Sequence, residues 1–180
     1  MVERKTNLPL SRSNWTLARY LSERSPAPMP PVARMSDDVL HVAKLAVGAS
    51  IPRAVYVVDE DERYLGTITD AHLAYEVFAH IEPSLYVEQH AHAKTALFRL
   101  SEDASRLSAR SMMKGGSLSI RDDATVADAM HSLYRAGLDE LPVVNGDLQL
   151  VGVVRSLDIL REWVEDTLLV KLGDETESFY

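Results

Sequence analysis

The chain has 180 residues, 46% hydrophobic and 26% charged, which suits one compact domain or two small fused ones with a real core. Its formal charge of −8 argues against a general nucleic-acid binder, which needs a basic footprint, and the lack of cysteine rules out disulfides and thiolate chemistry. No apolar run approaches the roughly 20 residues needed to span a bilayer, and MVERKTNLPLSRS lacks the apolar stretch of a signal peptide, so a cytoplasmic protein without membrane insertion is expected.

Residues 1–30 read as an N-terminal arm, with five Lys/Arg against Glu3 and Glu23. Trp15, Leu17, Ala18 and Leu21 fall on one face of a short helix over 13–23. The run SPAPMPPV then stops any helix, because proline removes donors and fixes φ, and leads into a short strand near Pro31–Arg34. A helix over 38–49, strands near 54–58 and 64–68, and a helix over 71–80 follow. A connector over 81–111 carries a helical stretch around Lys94–Leu107.

Ser117–Arg121 reads as a strand, and Thr125 opens a helix with Asp128 placed for a capping box. Val126, Ala129, Met130, Leu133 and Tyr134 form its apolar stripe, and Gly137 its C-terminal cap. Leu141–Val144 and Leu148–Val154 are strands joined by the turn signal Asn145-Gly146. Ser156 caps a helix running to about Leu168, and 169–180 is an acidic tail.

The dominant pattern is a repeat. VYVVDEDERYLGTITDAHLA (55–74) is restated as LPVVNGDLQLVGVVRSLDIL (141–160), with Val57-Val58 on Val143-Val144, Asp61 on Asp147 and Gly66 on Gly152. The offset is constant (143 − 57 = 152 − 66 = 86), so each copy is β-α-β-β-α and the fold class is α/β (α+β).

These segments carry a family resemblance. DDATVADAMHSLYRAGLDELPVVNGDLQLVGVVRSLDIL and, more loosely, SDDVLHVAKLAVGASIPRAVYVVDEDERYLGTITDAHL resemble CBS (cystathionine-β-synthase-type) domains, which occur as an intramolecular pair, the Bateman module. The resemblance implies tandem repeats packed as a pseudo-two-fold pair, with a first repeat at 31–80 and a second at 112–168. The YVVDE segment is also similar to CBS pairs attached to magnesium transporters.

In this family the paired copies leave clefts for adenosine-containing ligands. A Gly, two apolar residues, Thr or Ser, two variable residues and Asp form the signature: the Asp takes the ribose hydroxyls and the Thr or Ser the phosphate. Adenine lies near the backbone before the Pro-Val-Val strand. Carried onto this chain, the second-repeat site is Ile120, Arg121, Glu140, Leu141, Pro142, Arg155 and Asp158. The weaker first-repeat site is Ala54, Tyr56, Thr69 and His72. Both depart from the signature, with Arg155 at the hydroxyl position of the second copy and His72 at the Asp position of the first.

Chemistry ranks the second site higher. A carboxylate accepts from two vicinal hydroxyls at once, which neutral imidazole cannot reproduce, and a guanidinium suits phosphate oxygens. Plainer roles stand beside these: Asp158 as a helix-dipole partner, Arg155 paired with a surface carboxylate, His72 as a core-edge side chain. His90 and His92 splay apart at i, i+2, and Asp59–Glu62 reads as a solvated turn, so no metal site is expected. Gly115-Gly116-Ser117 lacks the rest of a phosphate loop, and no catalytic residues emerge.

The expected function is a soluble, non-catalytic regulatory module binding a nucleotide of the AMP/ADP/ATP class without a required cofactor. It would act as a homodimer on a regulated transporter or enzyme. The alternatives are a ligand-free interaction scaffold, or a magnesium-responsive module acting with an ion transporter.

Overall fold

The computed structural model describes residues 12–23, 30–49, 54–79 and 106–177. The helix expected around 94–107 lies almost wholly outside them, as do His80, His90, His92 and Phe179-Tyr180. In chain order the elements are α1 (Leu17–Glu23), β1 (Val32–Arg34), α2 (Val39–Gly48), β2 (Ala54–Val58), β3 (Tyr64–Thr69), α3 (Asp70–Ala79), α4 (Ala109–Met112), β4 (Lys114–Gly115), β5 (Ile120–Arg121), α5 (Val126–Ala136), β6 (Glu140–Val144), β7 (Leu150–Arg155) and α6 (Ser156–Glu177). They cluster into two compact units, one around each repeat.

The first unit holds a sheet in the order β1-β2-β3-β4. β1 runs parallel to β2, and β2/β3 and β3/β4 are antiparallel. β2 reads AVYVV and is buried along its whole length, which an unbroken apolar run allows and an alternating one would not. Asp38 caps α2, its carboxylate accepting from the His41 N–H at 2.7 Å. The core gathers Ala33, Val39, Val42, Val55, Val57, Ile68 and Leu73.

The second unit holds the sheet β5-β6-β7, with β5 parallel to β6. Thr125 and Asp128 close the expected capping box on α5, and Gly137 ends the helix at φ 62°, its N–H donating to the Leu133 and Tyr134 carbonyls. Val126, Ala129 and Leu133 are buried, but Met130 and Tyr134 are exposed, Tyr134 by 87%. The buried stripe is therefore narrower than the apolar spacing predicts, because only one side of α5 meets the core.

Four other boundaries differ from expectation, the first being the helix expected over 13–23, which begins at Leu17. The strand expected over Ser117–Arg121 shrinks to Ile120–Arg121. The strand expected from Leu148 begins at Leu150, because Leu148 itself is left-handed (φ 65°). Its repeat counterpart Glu62 is too (φ 63°). Each turn opens with a side chain that accepts two residues on: Asp59 Oδ1 from the Asp61 N–H at 2.9 Å and Asn145 Oδ1 from the Asp147 N–H at 3.0 Å. Finally, α6 continues to Glu177 instead of stopping near Leu168. No proline follows Ser156, and the lone Gly173 costs a helix only about 1 kcal/mol relative to alanine.

The described part of the arm, residues 12–23, is not an appendage. In the second unit, Leu17 N–H donates to Ala124 O (2.8 Å), Ala18 N–H to Asp122 O (2.8 Å), and Val126 N–H to Trp15 O (3.0 Å). In the first unit, Ala109 N–H donates to Asp37 O (2.7 Å), Arg110 N–H to Met35 O (3.0 Å), and Val39 N–H to Leu107 O (3.2 Å). The two sets match one for one, at an offset of 92 for the helices (109 − 17) and 87 for their partners (124 − 37). Thr16 and Ser108 hydroxyls each accept from the N–H three residues on, at 3.4 Å. Leu17 and Tyr20 are buried in the second unit's core, Ala109 and Met112 in the first's. α1 and α4 are thus a third repeated element, and each completes the unit formed by the other repeat.

Candidate functional site

The second repeat brings three of its nominated residues together. Glu140 opens β6, Arg155 ends the neighbouring strand β7, and Asp158 sits in the first turn of α6. Arg155 Nε donates to Glu140 Oε2 at 3.2 Å, and Arg155 Nη1 lies 4.0 Å from Asp158 Oδ2. The three side chains are only 18%, 14% and 12% exposed for Arg155, Glu140 and Asp158, so the pairing is shielded from much of the solvent that weakens surface ion pairs. Arg161, one turn along α6 and 61% exposed, places Nη1 3.5 Å from Asp158 Oδ1. Sequence reasoning missed Arg161, although its i, i+3 spacing from Asp158 is the signal for such a pair.

The remaining second-repeat residues frame this cluster. Leu141 and Pro142 are buried within β6, Leu141 as core. Ile120 pairs in register with Val143 and Arg121 with Val144. The Arg121 side chain turns to Asp123, at 3.3 Å. Ser156 fixes the entry to α6: its N–H and its hydroxyl both donate to Asp139 O, at 2.9 and 3.2 Å.

The first repeat places different chemistry at the same points. Ala54 lies opposite Thr69 in the β2/β3 register, where the second copy has Glu140 and Arg155 (54 + 86 = 140; 69 + 86 = 155). Thr69 Oγ1 accepts from the His72 N–H at 3.2 Å and so caps α3. His72 Nε2 lies 3.7 Å from Glu76 Oε1. The Tyr56 ring is buried and lies tilted by 50° to that of Tyr64 with centroids 6.4 Å apart, and the Tyr56 N–H donates to Pro31 O at 2.9 Å. This site offers a hydroxyl and an imidazole but no carboxylate at the signature position.

Two further features belong to single units. The Tyr64 hydroxyl bonds Thr67 Oγ1 at 2.6 Å, and burial pushes the Tyr64 pKa above its ordinary value against the pull of the hydrogen bonds to Thr67 and Ser117. On the second unit, Met130, Leu133, Tyr134, Leu138, Leu160 and Trp163 line an open, mostly apolar groove of ≈ 930 Å³ between α5 and α6. Among the described residues, no three His, Asp or Glu side chains are grouped as a metal ion requires, and no helix is long and apolar enough to cross a membrane.

The fold is that of a tandem α/β module, and comparison agrees. The CBS domain family matches residues 26–79 and 109–165, and the chain belongs to that family. The chain is similar in structure to the CBS domain of a CBS domain-containing membrane protein from Sphaerobacter thermophilus, with 20% identity, coverage of 84% of this chain and 89% of that one, and a TM-score of 0.60. It is also similar to CBSX2 from Arabidopsis thaliana (18% identity, 88% and 97% coverage, TM-score 0.56). CBSX2 has been solved with AMP (19% identity, 87% and 98% coverage, TM-score 0.55). The CBS pair of protein MJ0100 has been solved with 5′-methylthioadenosine and S-adenosylmethionine (18% identity, 82% and 94% coverage, TM-score 0.55). An uncharacterised protein of Methanocaldococcus jannaschii, MJ0188, is 36% identical over 57 residues, a match spanning 22% of that protein's length.

Proposed function

We propose that the chain is a non-catalytic regulatory module that binds an adenosine-containing nucleotide of the AMP/ADP/ATP class at its second repeat. The observation that carries this reading is the placement of Arg155 and Asp158 side by side at the β7–α6 junction, 4.0 Å apart. Asp158 would accept from the two ribose hydroxyls, Arg155 would meet phosphate oxygens, and the backbone around Glu140–Pro142 would flank the base. The adenosine ligands of CBSX2 and the MJ0100 pair support the ligand class. The first repeat, with Ala54, Tyr56, Thr69 and His72, is the weaker site because neutral imidazole cannot make a carboxylate's two-point clamp.

Calorimetric titration with AMP, ADP, ATP and S-adenosylmethionine tests this. One saturable site that Asp158→Ala weakens at least tenfold is expected. Binding to none of the four, or binding indifferent to Asp158→Ala, would overturn it.

The output follows from population shift: bound nucleotide favours whichever arrangement of a dimer or partner surface it binds more tightly. α5 and α6 expose Met130, Tyr134, Leu157, Leu160 and Val164, an apolar face of the kind covered on self-association. We infer a cytoplasmic homodimer acting on a transporter or an enzyme, and sedimentation showing a monomer at high concentration would contradict it. One observation favours a ligand-free scaffold instead: Arg155 already holds a carboxylate. The same titration separates the two readings.

A further inference from the structure

We propose that Glu140 sets the anion specificity of the second-repeat site, acting as an internal counter-ion that a nucleotide phosphate must displace from Arg155. The inference rests on the nucleotide reading above and concerns which nucleosides that site prefers. Arg155 alone would mark the site as phosphate-seeking, because a guanidinium presents paired N–H donors to two oxygens at once. Here the Nε–H, one half of such a fork, is already given to Glu140 Oε2 at 3.2 Å.

The local charge balance points the same way. Glu140, Arg155, Asp158 and Arg161 form one connected cluster through separations of 3.2, 4.0 and 3.5 Å. Two carboxylates and two guanidinium groups sum to zero formal charge. Beside the guanidinium groups, an incoming phosphate meets two carboxylates in a place shielded from bulk water, where like charges repel more strongly than at the surface. Arg161 does not relieve this, since its Nη1 is directed to Asp158 Oδ1 from the solvent side.

The first repeat shows what the device adds. Its cross-strand pair at the same register is Ala54 with Thr69, a neutral arrangement with nothing to displace. The second repeat carries both a cation and an anion that pairs with it. Arg155 is then held ready but masked, and a neutral nucleoside, whose ribose goes to Asp158 and which carries no phosphate, has no need to displace Glu140. The wild-type chain should accordingly separate AMP from adenosine only weakly, and removing the Glu140 charge should turn the site into a phosphate-preferring one.

Glu140→Gln is the direct test, because glutamine keeps the side-chain shape and an acceptor for Arg155 Nε–H. Calorimetry on the full chain would measure AMP, adenosine and inorganic pyrophosphate against wild type, Glu140→Gln, and Asp147→Asn. The last removes one carboxylate from an exposed hairpin and controls for net charge. The expected result is AMP affinity raised roughly tenfold in Glu140→Gln, as one shielded like charge is removed, with adenosine unchanged and Asp147→Asn inert. AMP bound equally by wild type and Glu140→Gln would overturn the proposal and leave the nucleotide reading standing. Should no nucleoside bind either protein, the nucleotide reading fails and pyrophosphate decides: binding by Glu140→Gln alone supports the masked arginine, and binding by neither overturns it.

Discussion

The carbonyl oxygen of Lys114 lies 2.5 Å from the point a β-carbon on Gly66 would occupy, so β3 and β4 pair closely only because residue 66 has no side chain. Its repeat counterpart Gly152 is crowded by something softer, the Leu21 side chain of α1, with Cδ1 at 2.7 Å. Backbone cannot yield without breaking a strand pair, whereas a leucine tip can rotate.

Gly66→Ala should therefore destabilise the protein by about 3 kcal/mol and Gly152→Ala by about 1 kcal/mol, the two ends of the usual overpacking range. Urea unfolding of the two variants checks the order. Equal losses, or a greater loss at Gly152, would contradict the distinction between backbone and side-chain crowding.

α1 completes the second unit's core, so truncating it from inside should leave a cavity. Leu17→Ala should cost about 3 kcal/mol, as for other buried leucines. The damage should appear locally as faster hydrogen exchange at the Val126 and Ala127 amides, which donate to Trp15 O and Ser13 O. Unchanged exchange there would mean that α1 is not coupled to α5 in solution.

The capping box at α5 has a pH signature. The Thr125 hydroxyl, and then the Thr125 N–H, donate to Asp128 and hold its carboxyl below the ordinary value of 3.8. A depressed folded value means stabilisation that is present above 3.8 and lost as pH falls through the folded value. Asp128→Asn should flatten the acid side of a thermal-stability profile between pH 5 and 2, and Thr125→Ala should lower stability by about 1 kcal/mol at neutral pH. An acid limb identical to wild type in Asp128→Asn would refute the linkage.

Tyr64 gives the mirror-image case. Burial raises its phenol above 10.0, so its stabilisation is complete below that value and is lost as pH rises through the folded value. In an ultraviolet titration the component that Tyr64→Phe removes should ionise above 10.0, and Tyr64→Phe should reduce the alkaline loss of stability. A Tyr64 component that ionises at or below 10.0 would count against a buried phenol.

Much of the fold was legible because its signals are local. The Val57-Val58 and Val143-Val144 strands, the Thr125/Asp128 box and the Gly137 cap each need only a few neighbouring residues to be recognised, and all appear as read. α1 and α4 were harder to equate. Trp15-Thr16-Leu17 and Leu107-Ser108-Ala109 share no residue, only the order apolar, hydroxyl, buried, and they repeat at 92 where the strands repeat at 86. Met130 and Tyr134 fit a buried stripe by spacing, but spacing says nothing about how wide the facing core is. At the site, Arg155 and Asp158 could be nominated from the signature, while the Glu140–Arg155 pair joins residues fifteen apart in sequence. That pair exists only once β6 and β7 lie beside each other, which no local pattern encodes.

The exchange of leading helices has a consequence for how the chain folds. Leu17 must find Ala124, so the second unit cannot close its core until segments more than a hundred residues apart have met. Closing so long a loop is entropically costly and slows folding relative to local pairing. The first unit draws mainly on one nearer stretch and can form while α1 is still unpartnered. A break in the connector would then separate α1 from the core it fills, giving two pieces that recover a complete second unit only when mixed.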